Sequence, residues 1–135
     1  MRLKQWMFPA EPRFFRGQRW VNIVLRTLHL VGIAGLGGGF LYAAERPEWR
    51  PFLDLTVWSG LGLSLIAVWN SGIWLIQLRG QAVVVKVLLL SIIPYFPELQ
   101  GLLFVTVIVI SGLISHAPAA VRYHSLYHGR RIGLY

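Results

Sequence analysis

The sequence contains no cysteine among its 135 residues. Without thiols, the chain cannot form disulfides, hold an iron–sulfur cluster, build a thiolate zinc site or use a cysteine nucleophile. Methionine is also scarce, since only Met1 and Met7 are present, so soft ligands for Cu(I) are few. Histidine nitrogens remain as the metal ligands to consider.

Acidic residues are scarce and unevenly placed. The chain has 5 Asp and Glu residues against 13 Lys and Arg residues, which gives a formal net charge of +8. No carboxylate lies between Asp54 and Glu98, so a proton or cation pathway lacks its usual carriers and an ion pump is not expected. The basic residues lie at the ends of apolar segments rather than on a soluble module, so we expect no nucleic-acid binding.

Long apolar segments account for most of the chain. With 56% hydrophobic and 13% charged residues, the composition is too apolar for an ordinary soluble domain. A bilayer core of about 30 Å needs about 20 helical residues. We therefore predict an all-α membrane protein, a four-helix transmembrane bundle forming a single membrane domain over residues 1–135. The predicted spans are 20–44, 52–78, 82–96 and 99–117.

The third predicted span, 82–96, is short and contains Pro94. Such a segment fits a tilted span, a short helix that thins the bilayer, or a re-entrant element. We favour a span that ends near Tyr95, followed by a turn at Pro97 and Glu98.

The positions of Lys and Arg predict the orientation of the spans. Short loops rich in these residues stay in the cytoplasm, and only Arg46 and Arg50 of the 13 basic residues fall on the side opposite the termini. This asymmetry predicts N-in/C-in topology in a bacterial-type inner (cytoplasmic) membrane. Residues 1–19 are then a cytoplasmic interfacial segment, and residues 118–135 are a basic cytoplasmic tail.

Polar residues inside the apolar spans are the candidates for function, because an ionisable group in hydrocarbon costs at least about 2.5 kcal/mol. They are Arg26, His29, Asn70, Lys86 and His116. At 1.5 Å per residue, His29 lies about 13 Å into the first span, and the others lie within about 12 Å of their cytoplasmic ends. Such a layer suits a quinone head group, haem propionates or lipid phosphates. Snorkelling to the headgroups is the alternative for Arg26 and Lys86.

Glycine is abundant in the first two spans. Gly32, Gly35 and Gly39 lie in the first, and Gly60 and Gly72 lie in the second. Glycine at this density allows a neighbouring backbone or a flat cofactor ring to approach closely. Helix packing is the simpler of these two interpretations.

Three short stretches carry a resemblance to a known family. They are Leu28-His29-Leu30-Val31-Gly32 with the following glycines, Ser71-Gly72, and the segment 81–89 that opens the third span. The sequence there resembles the membrane module of the copper-resistance D family, which the HemJ-type protoporphyrinogen oxidases share. The resemblance implies a haem b ligand at His29 and a lysine needed for activity at Lys86. The first connection, ERPEWRP, departs from the longer, basic connection of the HemJ type.

Two functions from different classes are compatible with these observations. In the first, the chain binds haem b and takes part in electron transfer or a small redox reaction. His29 is then an axial iron ligand, His116 is the candidate second ligand, and Arg26 and Lys86 neutralise propionates or orient a quinone. In the second, the chain is a non-catalytic accessory or scaffold subunit that packs against other membrane subunits, or against copies of itself, and binds membrane lipids. Whether the protein is an enzyme stays open.

The tail contains a second pair of histidines, His124 and His128. If the segment is helical, this i, i+4 spacing places both rings on one face, where they could hold a divalent metal or haem. An amphipathic interfacial tail is the alternative, with Tyr123 and Tyr127 in the headgroup region.

Overall fold

The computed structural model describes residues 2–132, and the chain divides into two compact units. One unit comprises Phe14–Ala67. The other comprises Met1–Arg13 together with Val68–Tyr135. The α-helices are α1 (Arg2–Met7), α2 (Gln18–Leu41), α3 (Arg46–Asn70), α4 (Ile73–Ile76), α5 (Leu78–Ile92), α6 (Gln100–His116) and α7 (Ala119–Arg122).

The unit Phe14–Ala67 is a pair of long antiparallel helices, α2 and the greater part of α3. Helix α2 ends where Ala43 adopts a left-handed conformation, with φ 52°. The N–H of Ala44 then bonds the carbonyl of Gly39 at 2.9 Å, which satisfies one of the carbonyl groups left over at a helix end. The turn lets α3 begin at Arg46 and run back along α2.

The second unit contains the α5–α6 hairpin, the N-terminal helix α1 and a small C-terminal hairpin. Helix α5 continues into a 3-10 turn at Ile93–Tyr95, and a second 3-10 turn at Pro97–Leu99 leads into α6. Proline is compatible with the first turn of a helix but not with its interior, so this proline-rich stretch reverses the chain. After α7, β1 (His124–Ser125) pairs antiparallel with β2 (Arg130–Arg131).

Two predicted spans have different bounds in the structure. Helix α3, which corresponds to the second predicted span, covers Arg46–Asn70 rather than 52–78. The chain leaves the helix at Ser71 and again at Gln77, whose ψ of 153° is extended. The residues beyond the second break belong to the next helix. The third segment therefore runs over Leu78–Tyr95, which is 18 residues and about 27 Å at helical rise.

Within residues 2–132, four helical segments are long and apolar enough to cross a membrane: Gln18–Leu41, Arg46–Asn70, Leu78–Tyr95 and Pro97–His116. Many of their large apolar side chains point away from the protein. Leu30 is 66% exposed, Leu88 61% and Leu113 68%. Surface of this kind is costly in water and stable against lipid.

Candidate functional site

His29 lies on α2, and its ring is half-buried against α3. Its Nδ1 atom lies 3.0 Å from the carbonyl oxygen of Thr56 and 3.0 Å from the hydroxyl of Ser59. A carbonyl oxygen only accepts, so Nδ1 carries the proton and the lone pair of the neutral imidazole is on Nε2. The Ser59 hydroxyl donates in turn to the carbonyl of Leu55 at 2.6 Å. The deep histidine is thus held in one orientation by a polar contact between two helices.

Glycines on both helices make this approach possible. A Cβ atom at Gly32 would lie 2.8 Å from the backbone nitrogen of Thr56. A Cβ atom at Gly60 would lie 3.0 Å from Cε1 of His29. We call this contact the glycine seam: the face of α2 with Gly32, Gly35 and Gly39, together with the α3 residues it touches, Trp49, Phe52 and Thr56. Along this seam, the space beside the glycines of α2 is occupied by residues of α3.

Arg26 lies three residues before His29 on α2, and it is exposed. Residues three apart on a helix are neighbours on its surface. The unit Phe14–Ala67 therefore contains one histidine and one nearby cation of the predicted layer. The other members, Asn70, Lys86 and His116, belong to the second unit.

Asn70 ends α3, and its backbone carbonyl accepts a hydrogen bond from the N–H of Arg13 at 2.9 Å. The adjacent carbonyl of Trp69 accepts from Nε of Arg13 at 2.8 Å. The guanidinium of Arg13 also lies 4.6 Å from the Trp69 ring centroid and 5.0 Å from that of Trp6. The N-terminal segment thus caps the end of α3, a role in which Asn70 takes part through its main chain.

Lys86 and His116 lie on the two helices of the α5–α6 hairpin. Lys86 is half-buried and eight residues into α5, which is about 12 Å from its start. His116 is the last residue of α6 and is exposed. Since the helices are antiparallel, His116 is level with the start of α5 rather than with Lys86. The hairpin therefore holds these two side chains at different depths.

The predicted helical face for His124 and His128 does not form. Helix α7 ends at Arg122, and His124 belongs to strand β1, while His128 lies in the turn between the strands. Nδ1 of His128 pairs with the hydroxyl of Ser125 at 3.0 Å, and Gly129 in this turn has a positive φ of 60°. The hydrogen bonds of the β-hairpin form here in place of those of a helix. The two histidines therefore do not lie on one helical face, as the predicted metal site required.

Gln77 is a polar residue at the boundary of the second predicted span, and it is not among the predicted site residues. Its side chain is 1% exposed, its Nε2 donates to the carbonyl of Ile132 at 2.7 Å, and its Oε1 accepts from Nε of Arg79 at 2.6 Å. Ser125, which is fully buried, forms a β-bridge with it. Gln77 therefore joins the start of α5 to the C-terminal hairpin. A glutamine between two apolar segments is the signal that could have identified it.

Three arginines surround the ring of Tyr123 beside Gln77. The guanidinium carbons of Arg79, Arg122 and Arg131 lie 4.6, 5.7 and 5.7 Å from the ring centroid. Each distance is within the range of a cation–π contact. We call this group the Tyr123 arginine cluster.

These features define an α-helical protein in which four helices of the described residues are, by length and composition, long and apolar enough to cross a bilayer. No family model matches the chain, and neither a curated protein nor a solved structure is similar to it at a significant level.

Proposed function

We propose that this chain is a multi-pass protein of a bacterial-type inner membrane with both termini in the cytoplasm. The apolar, outward-facing surfaces of its four long helices support insertion. Eleven basic residues would then lie on the cytoplasmic side and two, Arg46 and Arg50, on the other. That distribution follows the positive-inside rule.

Within that membrane, its proposed role is that of an accessory or scaffold subunit that binds partner subunits and lipids. The observation that favours this role over cofactor binding is the glycine seam. Its glycines and the Nδ1 atom of His29 serve contact between α2 and α3. Small residues and interhelical hydrogen bonds are the usual means by which helices associate in lipid. The residues that first indicated cofactor chemistry therefore have a role in packing.

Haem b binding is the second candidate, and one observation favours it. The Nδ1–H of His29 donates to a backbone carbonyl, an arrangement that fixes the tautomer and orientation of metal-ligating histidines. Bound haem would supply one-electron chemistry; His29 would hold its iron, and Arg26 would pair with a propionate. The residues of the unit Phe14–Ala67 fit haem in part, because they offer one imidazole, that of His29, as an iron ligand.

The visible absorption spectrum of the detergent-purified protein separates the two candidates. An accessory role predicts no Soret band in a preparation whose helical content is intact by circular dichroism. Haem binding predicts a Soret band and b-type reduced bands that disappear in His29→Ala. The matched control is His128→Ala in the C-terminal hairpin, which leaves any such spectrum unchanged.

A further inference from the structure

We propose that the Tyr123 arginine cluster is a binding site for the phosphate group of an anionic ligand. This site deepens the membrane role proposed above and rests on it for the source of the ligand. The cluster assembles three cations from three elements: Arg79 from α5, Arg122 from α7 and Arg131 from β2. Planar guanidinium groups are the side chains best suited to phosphate oxygens.

Among residues 2–132, no carboxylate forms an ion pair with the arginines of the cluster. In the part of the chain that the structure describes, the ion pair is Arg50 with Asp54, which lies in the other unit. The charged side chain that acts on Arg79 is a second arginine, Arg122. Three like charges held around one ring repel one another, and an anion between them would remove that repulsion.

One donor in the cluster lacks a partner among residues 2–132. Nε of Arg122 is buried and makes no hydrogen bond with any described residue. A buried donor without an acceptor is destabilising, so an acceptor brought by a ligand would be stabilising. Phosphate oxygens are acceptors that also carry the charge the cluster needs.

The position of the cluster indicates where the phosphate comes from. Arg79 is the second residue of α5, and Arg122 follows the end of α6 by six residues. If α5 and α6 span the membrane, the cluster lies at headgroup level, where tyrosine and basic side chains are also favoured. The phosphate of an acidic phospholipid is then within reach. Free phosphate presents the same chemistry from the aqueous side.

The site is also held in place before a ligand binds. Oε1 of Gln77 accepts from Nε of Arg79, and the same glutamine fastens the C-terminal hairpin through Ile132. The Arg79 guanidinium therefore loses little freedom when it binds an anion, which favours affinity.

Native mass spectrometry of the full chain in detergent tests the site, with phosphatidylglycerol and phosphatidylcholine added separately. We expect one phosphatidylglycerol to be retained in preference to phosphatidylcholine. Arg122→Gln and Arg131→Gln should each weaken its binding about tenfold. Arg130→Gln is the matched control, because it removes the same charge from the same hairpin outside the cluster, and it should change binding less than about twofold.

Thermal unfolding with and without inorganic phosphate, at constant ionic strength, is the second experiment and tests free phosphate as the ligand. Stabilisation of the wild type, but not of Arg122→Gln, by inorganic phosphate alone supports the site with free phosphate as its source. Without any anion, Arg122→Gln should be at least as stable as the wild type, because it removes a repelling charge and a buried donor. Arg131 is exposed, so Arg131→Gln keeps the test valid if Arg122→Gln fails to fold.

The proposal is overturned if neither phosphatidylglycerol nor phosphate binds, or if Arg130→Gln weakens binding as much as Arg122→Gln does. Alkaline carbonate extraction of the membranes separates this failure from failure of the membrane role. A chain that stays in the membrane but binds no anion refutes the site alone. A chain that carbonate releases refutes the membrane role, and the inorganic phosphate arm still decides the site.

Discussion

His29 illustrates how a polar side chain is tolerated inside an apolar helix. Its Nδ1–H lies within hydrogen-bond distance of a carbonyl and a hydroxyl of α3, and the Ser59 hydroxyl donates its own hydrogen bond to the carbonyl of Leu55. Each donor in this short chain has an acceptor, so the polar groups need no water. Hydrogen bonds of this kind between membrane helices contribute about 0.6 kcal/mol on average.

The glycines of α2 differ sharply in what surrounds them. At Gly32, a Cβ atom would meet backbone atoms of Thr56, which can move only if α3 moves. At Gly38, six residues later on the same helix, a Cβ atom would have no neighbour within 4 Å. The two positions therefore form a matched pair for testing the glycine seam.

We predict that Gly32→Ala destabilises the protein by about 1–3 kcal/mol, because overpacking forces α2 and α3 apart. Gly38→Ala should be neutral or slightly stabilising, since alanine favours helix over glycine. Unfolding in mixed micelles, followed by circular dichroism, measures both. Equal loss of stability in the two variants would contradict the seam as the contact surface.

At the scale of elements, the breaks on either side of α4 decide how the second unit is built. Ser71 and Gly72 interrupt the helix, and the N–H of Gly72 donates to the carbonyl of Met7 at 2.8 Å. Arg13 meanwhile bonds the last carbonyls of α3. The N-terminal segment thus supplies partners for main-chain groups that a helix end leaves unsatisfied.

We predict that Gly72→Ala releases the N-terminal segment. The backbone at Gly72 is right-handed, with φ −61°, so alanine is allowed there. Its Cβ atom would, however, collide with the Met7 carbonyl oxygen. A loss of about 1–2 kcal/mol in docking should raise the rate of tryptic cleavage at Lys4 and Arg13 about five- to thirtyfold.

Gly112→Ala is the control for this experiment, since a Cβ atom there has no neighbour within 4 Å. It should leave the cleavage rate at the N-terminal sites unchanged. An unchanged rate in Gly72→Ala as well would show that the segment does not depend on the contact with Met7.

At the scale of the whole molecule, the absence of cysteine makes the proposed topology directly testable. Single cysteines can be placed at exposed positions on each predicted side, as Gln5→Cys, Tyr42→Cys and Leu126→Cys. We predict that a membrane-impermeant maleimide labels only Tyr42→Cys from outside intact cells. The other two variants should react only in inverted vesicles, because the positive-inside rule places both ends in the cytoplasm.

Permeabilised cells provide the control, because all three cysteines should react there at similar rates. Labelling of Leu126→Cys but not of Gln5→Cys from outside would mean an odd number of spans. Labelling of Gln5→Cys and Leu126→Cys together from outside would mean that the orientation is inverted.

The sequence by itself predicted the number and apolar character of the long helices, because hydrophobic runs depend on local composition and on the thickness of a bilayer. It also predicted the turn at Pro94 and Pro97, since proline constrains its own neighbourhood. Its bounds for the second span were wrong, because the break at Ser71 and Gly72 is stabilised by Met7 and Arg13, which are distant in sequence.

Only the tertiary structure decided what the polar residues contact. The partners of His29 are 27 and 30 residues away, and Gln77 reaches Ile132 at a separation of 55. Hydropathy and spacing carry no information about such pairs. The Tyr123 arginine cluster arises in the same way, because a helix start, a short helix and a strand that are separate in sequence meet around one ring.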